Sequence, residues 1–277
     1  FPFLDASTVA RRKRFCELEL ILNRRLAPAV YLRKVPVVET AEELHLGGSG
    51  RVIEWLVQMR RLPEDRMLDR LVAQGRVSRQ DMARIAERLV AFFKRAARSR
   101  AIGRYGRPQQ VEALVLGNLR ECQPFVGALL PEEDRVALEA AYRQFLSLQA
   151  SVLAARVRQR LIIDGHGDLR CENICLTTRP NIFDCVEFQP AFRCGDMAND
   201  FSFLVMDLEF RGRQDLADAL IKTYRSRLAD PTFDRVLPFY QCHRSLVRGK
   251  VRGLAWLQHP RSPEGRRVRR ISRHHFQ

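Results

Sequence analysis

No stretch of the 277 residues approaches 18 consecutive apolar positions, so a membrane-spanning helix is excluded. There is no Cys-x-x-Cys pair. The seven cysteines (16, 122, 171, 175, 185, 194, 242) are odd in number and scattered through apolar sequence, the pattern of reduced thiols in a cytoplasmic protein. In the closest group (Cys171, Cys175, Cys185, Cys194) the first two members stand wider apart than zinc ligands usually do, so zinc is not expected. No Gly-Lys-Ser or Gly-Lys-Thr completes a phosphate-binding loop, and Gly47-Gly-Ser-Gly50, which leads into an apolar run, reads as a turn. Lysine is scarce: only five (13, 34, 94, 222, 250) stand among the 48 basic residues. The net charge of +16 raises the question of nucleic acid. However, aromatic residues do not interleave with the arginines as on a base-stacking surface, so a solvated helical surface is the expected reading. An initiator Met and a signal peptide are also missing, and a chain opening on Phe1-Pro-Phe reads as a fragment.

What is there is an apolar fraction of 46%, enough for a substantial core. Helical periodicity is expected over 7–26, capped by Ser7 or Thr8, with Leu18, Ile21, Leu22 and Leu26 on one face. Tyr31 to Val38 and Arg51 to Met59 read as a hairpin about the glycine turn. From Pro63 the pattern becomes helical, over about 64–74, 78–98, 108–118 and 132–158. Three short strands interrupt it at 160–163, 174–176 and 181–183, and helices resume at 196–210, 213–228, 233–258 and 260–274. The fold class is α+β, with one part at 1–62 and a mainly helical part at 63–277.

The chemistry concentrates in the β-patch. His166-Gly-Asp-Leu-Arg-Cys-Glu-Asn173 follows the first short strand, and Ile182-Phe-Asp184 ends the third. Phosphoryl transfer needs a carboxylate to orient the attacking hydroxyl and accept its proton, oxygen ligands for Mg²⁺, and cations against the phosphates. Asp168 has the position of the carboxylate, and Asn173 and Asp184 those of the metal ligands. Gly167 lets the loop turn, and His166 is expected to fix it through a backbone hydrogen bond. Each of these is an ordinary turn or strand-end residue when taken alone. Their joint spacing is not.

This loop resembles that of aminoglycoside phosphotransferases and choline kinase-like enzymes, small-molecule relatives of the protein kinases. Gly195-Asp-Met-Ala-Asn-Asp200 resembles their Gly-Asp-x-x-x-Asp-Leu signature, with Phe201 for Leu. The match extends to a bacterial subgroup of the aminoglycoside phosphotransferase family through Glu19 to Pro28, Met59 to Pro63, Phe183 to Phe188 and Val247 to Lys250. The resemblance implies a two-lobed kinase-like fold, ATP and Mg²⁺ as cofactors, and a small-molecule hydroxyl as acceptor. It implies that Glu19, or its neighbour Glu17, partners a nucleotide-binding lysine, and that Gln58, Met59 and Arg60 form a hinge for adenine. It further implies that Asp196 and Asp200 brace the catalytic loop and start a helix.

The chain departs from the pattern in two places. Arg170 and Cys171 stand where the motif carries a second His, and Arg170 becomes a candidate for stabilising transferring phosphate. Phe3-Leu-Asp-Ala-Ser-Thr-Val9 corresponds to a run that follows the lysine strand, so an N-terminally truncated N-lobe is expected. Arg244, Arg248 and Lys250 share a helix and can face an anionic substrate, although a solvated basic face is the expected reading. Some relatives carry a C-terminal P-loop kinase domain, absent here. The competing readings are a nucleotide-binding pseudokinase or scaffold and a basic nucleic-acid-binding protein.

Overall fold

The computed structural model describes residues 5–41, 43–258 and 260–276. Phe3 and Leu4 of the run quoted above lie outside the described residues.

Thr8 accepts a hydrogen bond from the Arg11 amide and starts helix α1 (Val9–Asn23). Strands β1 (Tyr31–Glu39), β2 (Leu44–Leu46) and β3 (Arg51–Met59) follow, then helices α2 (Leu68–Ala73), α3 (Arg79–Arg95), α4 (Arg100–Gly103), α5 (Pro108–Arg120) and α6 (Glu132–Arg158). The short strands are β4 (Ile162–Asp164), β5 (Ile174–Cys175) and β6 (Asn181–Ile182). The chain continues through α7 (Pro190–Arg193), β7 (Cys194–Asp196), α8 (Met197–Phe210), α9 (Gln214–Arg227), α10 (Phe233–Gln258) and α11 (Pro263–Phe276). Helix dominates, at 61% of residues, and the fold class is α+β. Among the described residues no helix is long and apolar enough to cross a membrane.

Two compact units form. One comprises Phe1–Ala96, Asp164–Cys194 and Asp218–Arg227, the other Ala97–Ile163, Gly195–Ala217 and Leu228–Gln277. Residues 63–96 and the segment 164–194 group with the N-terminal helix and sheet.

In the first unit the sheet order is β2-β1-β3, antiparallel, with Tyr31 opposite Met59 and Val35 opposite Leu56. Gly47 and Gly48 take φ of 82° and 89°, which makes this segment a turn. Leu20, Ala27, Val30 and Tyr31 form a buried cluster against which Val57, Leu62 and Phe183 pack. That cluster seats the residue just before Asp184 on α1 and the sheet. Helix α3 opens with a Ser78/Asp81 capping box and buries Met82, Ile85, Ala86, Leu89 and Phe93 at helical spacing.

In the second unit α8 is buried along most of its length, and α10 packs against α8 and α11. Gly249 and Gly253 make room for aromatic rings: a Cβ on Gly249 would lie 2.6 Å from the Phe276 ring, and one on Gly253 3.0 Å from that of Phe125. Phe145 stacks on Phe239 with centroids 4.0 Å apart. Beneath them Arg156 is fully buried, and its five N–H groups all find acceptors. It donates to both carboxylate oxygens of Asp196 (2.5 and 2.7 Å), to both of Asp230 (2.6 and 2.8 Å) and to the Thr232 hydroxyl (2.7 Å).

Candidate active site

Every residue assigned above to catalysis, metal or nucleotide belongs to the first unit. The loop after β4 is held at its entrance by two arginines. Arg25 donates to the Asp164 carbonyl (2.9 Å), the Asp164 carboxylate (3.1 Å) and the Gly165 carbonyl (2.7 Å), while Arg193 Nε reaches Asp164 Oδ1 at 2.8 Å. Gly167 has φ of 87°, and a Cβ there would sit 2.8 Å from the Phe192 carbonyl. Only glycine meets both demands. His166 is buried and does what was expected of it. Its Nε2 pairs with the Phe183 carbonyl at 3.0 Å and its Nδ1 accepts from the Asp168 amide at 3.3 Å. The ring therefore ties the loop carrying Asp168 to the strand end carrying Asp184.

Asn173 Nδ2 donates to the Asp168 carbonyl (3.0 Å) and to its carboxylate (2.9 Å). The side-chain carbonyl of Asn173 is left for another partner. The Phe183 amide bonds the Asn173 carbonyl at 3.0 Å, and Ile174 faces Ile182 across the β5–β6 pair, so Asn173 and Asp184 are neighbours. Asp184 lies in the left-handed region (φ 64°), a conformation that aspartate tolerates better than most residues. Its amide donates to the Tyr31 hydroxyl at 3.2 Å. Burial, and then the Asp168 charge, raise its carboxyl above the ordinary range, with His166 and Arg170 opposing. No ready-made cage of three or more His, Cys, Asp or Glu side chains is present among the described residues. Mg²⁺ fits such a place nonetheless, since it takes one or two protein oxygens and completes its shell from phosphates and water.

Arg170 grips Asp168 with two parallel bonds, Nε to Oδ1 and Nη2 to Oδ2, both 2.8 Å, and its remaining terminal nitrogen pairs with Glu172. A guanidinium so engaged orients the carboxylate. Three of the five N–H groups of Arg170, a candidate for stabilising transferring phosphate, are thus engaged by carboxylates.

Glu19 projects from α1 toward Glu187 and Asp184. Burial, then these two charges, push its carboxyl up to about 7. Burial and Asp184 likewise raise Glu187. Among the described residues no cation is paired with Glu19, while Glu17 takes Lys34. Gln58 and Met59 end β3 and are exposed, with Arg60 just beyond, its amide bonded to the Val30 carbonyl at 2.8 Å. Gln58 accepts from Arg33 Nε at 2.7 Å.

Asp196 and Asp200 belong to the second unit, where Asp196 caps α8 by accepting from the Ala198 amide at 2.9 Å and Asp200 is buried in the first turn. The basic residues of α10 are also engaged there. Arg244 donates to the Asn199 carbonyl at 3.1 Å and lies over Phe203, and Lys250 holds Glu121 and Asn118.

Four residues of the site were not assigned from sequence: Asn23, Arg25, Arg193 and Glu187. Asn23 Oδ1 accepts from the Cys185 amide at 2.8 Å, so the Asn-Arg-Arg run fixes the chain on both sides of the segment from His166 to Asp184. Asn23 and Arg25 lie in the run Glu19 to Pro28 and Glu187 in the run Phe183 to Phe188, but neither run names their partners, and Arg193 lies in neither.

The Glu19 environment predicts a pH effect. Its folded carboxyl holds a proton to about 7 against an ordinary 4.5, so its stabilising contribution is complete below 4.5 and is lost as pH rises through 7. Glu19→Gln, which mimics the protonated form, will melt with the parent in acid and above it in mild alkali, measured with a chelator present. A constant gap across that range would remove the assignment.

An uncharacterised protein of Mycobacterium bovis and its counterparts in two strains of Mycobacterium tuberculosis are each 33% identical to the chain over 250 residues, 90% of this chain. The matched region is 49% of each relative, so the chain spans about half the length of the curated relatives it matches. No protein-family model matches it.

Proposed function

We propose that this chain carries the catalytic loop of an ATP-dependent, kinase-like phosphotransferase that moves the γ-phosphate to the hydroxyl of a small molecule. The observation that supports it is the juxtaposition of Asp168 in its loop with Asn173 and Asp184 at two neighbouring strand ends, held by His166, Arg170 and Arg25. In this reading Asp168 accepts the proton of the acceptor hydroxyl, whose oxygen displaces ADP from the γ-phosphorus. Arg170 holds the carboxylate in one orientation. Asn173 and Asp184 would hold Mg²⁺, which offsets charge on the phosphates. Glu19 would take a lysine of the nucleotide site, and Gln58 to Arg60 would present backbone to adenine.

One observation favours the rival reading of a nucleotide-binding pseudokinase. Glu19 faces two further carboxylates with no cation paired to it among the described residues. The two readings separate by experiment. The chain, and the longest form its gene encodes, are incubated with Mg-ATP and pools of hydroxyl-bearing metabolites, and phosphomonoester formation is followed by phosphorus NMR. Magnesium-dependent product from the longest form is expected. Binding of Mg-ATP without product would leave the pseudokinase, and neither binding nor product would end the kinase-like proposal.

A further inference from the structure

The second unit holds a group of arginines that the phosphotransfer reading does not use. A cleft of about 570 Å³ is lined by Arg98, Arg100, Arg107 and Arg160, together with Ser99, Gly103, Val157 and Ile162. No carboxylate lines it. Arg100, Arg107 and Arg160 are exposed, and none of the three is ion-paired to a described residue. Arg98 is half-buried and donates from Nε to the Arg160 carbonyl at 2.8 Å. Burial, then the Arg160 charge, lower the Arg98 pKa.

An independent observation concerns the backbone. Helix α6 ends in a Schellman turn: the Leu161 amide bonds the Arg156 carbonyl (3.0 Å) and the Arg160 amide that of Val157 (3.1 Å). The residue after the cap takes a left-handed conformation there, and glycine is the usual occupant. This chain has Arg160, with φ of 59°. Only one other non-glycine residue described here has positive φ, and it is Asp184 of the candidate active site. Strained positions kept by unfavourable residues concentrate where function requires the side chain. At Arg160 the side chain adds a guanidinium to the cleft.

We propose that this cleft is a binding site for a phosphate-bearing small molecule, separate from the catalytic loop. Guanidinium forks match phosphate oxygens in pairs, and the volume is that of a small-molecule site. The lining offers no aromatic platform for stacking bases, which sets single-stranded nucleic acid aside. The proposal does not rest on the kinase reading.

The test uses inorganic pyrophosphate as probe, with a chelator present, read by calorimetry and by thermal melting. The parent protein is expected to bind it, with affinity falling as salt rises. The double variant Arg100→Ala/Arg107→Ala is expected to bind about tenfold or more weakly at an unchanged ligand-free melting temperature. Arg160→Gly is expected to lose a similar factor while melting no lower than the parent, since glycine suits the left-handed turn. Loss of binding in these arginine variants, which leave residues 164–194 untouched, separates this cleft from the candidate active site. No binding by the parent at millimolar pyrophosphate would overturn the proposal, as would equal binding by the arginine variants. Arginine-dependent retention of a DNA oligonucleotide without pyrophosphate binding would replace it with a nucleic-acid surface.

Discussion

Arg156→Met will lower the stability of the protein by about 3–5 kcal/mol, the cost of removing one partner from a buried ion pair. Arg156 is fully buried, and its side-chain partners Asp196 and Asp230 are 2% and 1% exposed. Methionine fills much of the volume but removes the cation that the two buried carboxylates share. Asp196 keeps the Ala198 amide and the Tyr240 hydroxyl, 3.3 Å away, and these do not replace a charge. The loss is far larger than for an exposed pair such as Arg61–Glu64, whose removal will change stability by less than about 1 kcal/mol. For a chain of this size the melting temperature falls by about 10 °C.

The deficit will depend on pH in a stated direction. A neutral carboxyl is cheaper to bury unpaired than a carboxylate, so the gap between variant and parent narrows in acid and widens toward neutrality. Arg156→Lys will fall between the two, because three donors replace five and the planar fork is lost. Urea midpoints of the three proteins at acid and neutral pH measure the effect. An Arg156→Met protein as stable as the parent at neutral pH would show that the network contributes nothing net.

The helices were legible wherever a single face carries the apolar residues. α3 and α6 were read nearly to their ends, and α10 was read as one helix across Pro238. Strand β2 was not read, because Leu44, His45 and Leu46 are all exposed and show no burial alternation. The four-residue helices α4 and α7 are too short to display a period. Within the site, His166, Asp168, Asn173 and Asp184 lie close in sequence and could be read as one pattern. Arg25 could not: its partner Asp164 is 139 residues away, and nothing in either neighbourhood names the other. Residues 164–194 join the N-terminal sheet through similarly distant contacts, the packing of Phe183 and the bonds of Asn23 and Arg25.

Under the proposed phosphotransfer reading, Asp168→Asn will reduce turnover by roughly a hundred- to ten-thousand-fold, the range that a positioned general base contributes. The substitution keeps the shape of the side chain and its bond from Asn173, but an amide cannot take the hydroxyl proton. The loss will fall on kcat, with KM for ATP little changed, because Asn173 and Asp184 rather than Asp168 are assigned to the metal and its nucleotide. Arg170, only 12% exposed on its side chain, loses an ionic partner in the same variant, so a fall in melting temperature will accompany the kinetic effect. Arg170→Ala separates the two contributions. It leaves the base in place but frees it to rotate, and will lower kcat by a smaller factor while shifting the pH–rate profile, as expected of a residue that acts through another. Equal loss in both variants with unchanged pH profiles would mean that loop integrity, and not proton acceptance, limits the reaction. An Asp168→Asn protein turning over at the parent rate would remove Asp168 from the chemistry altogether.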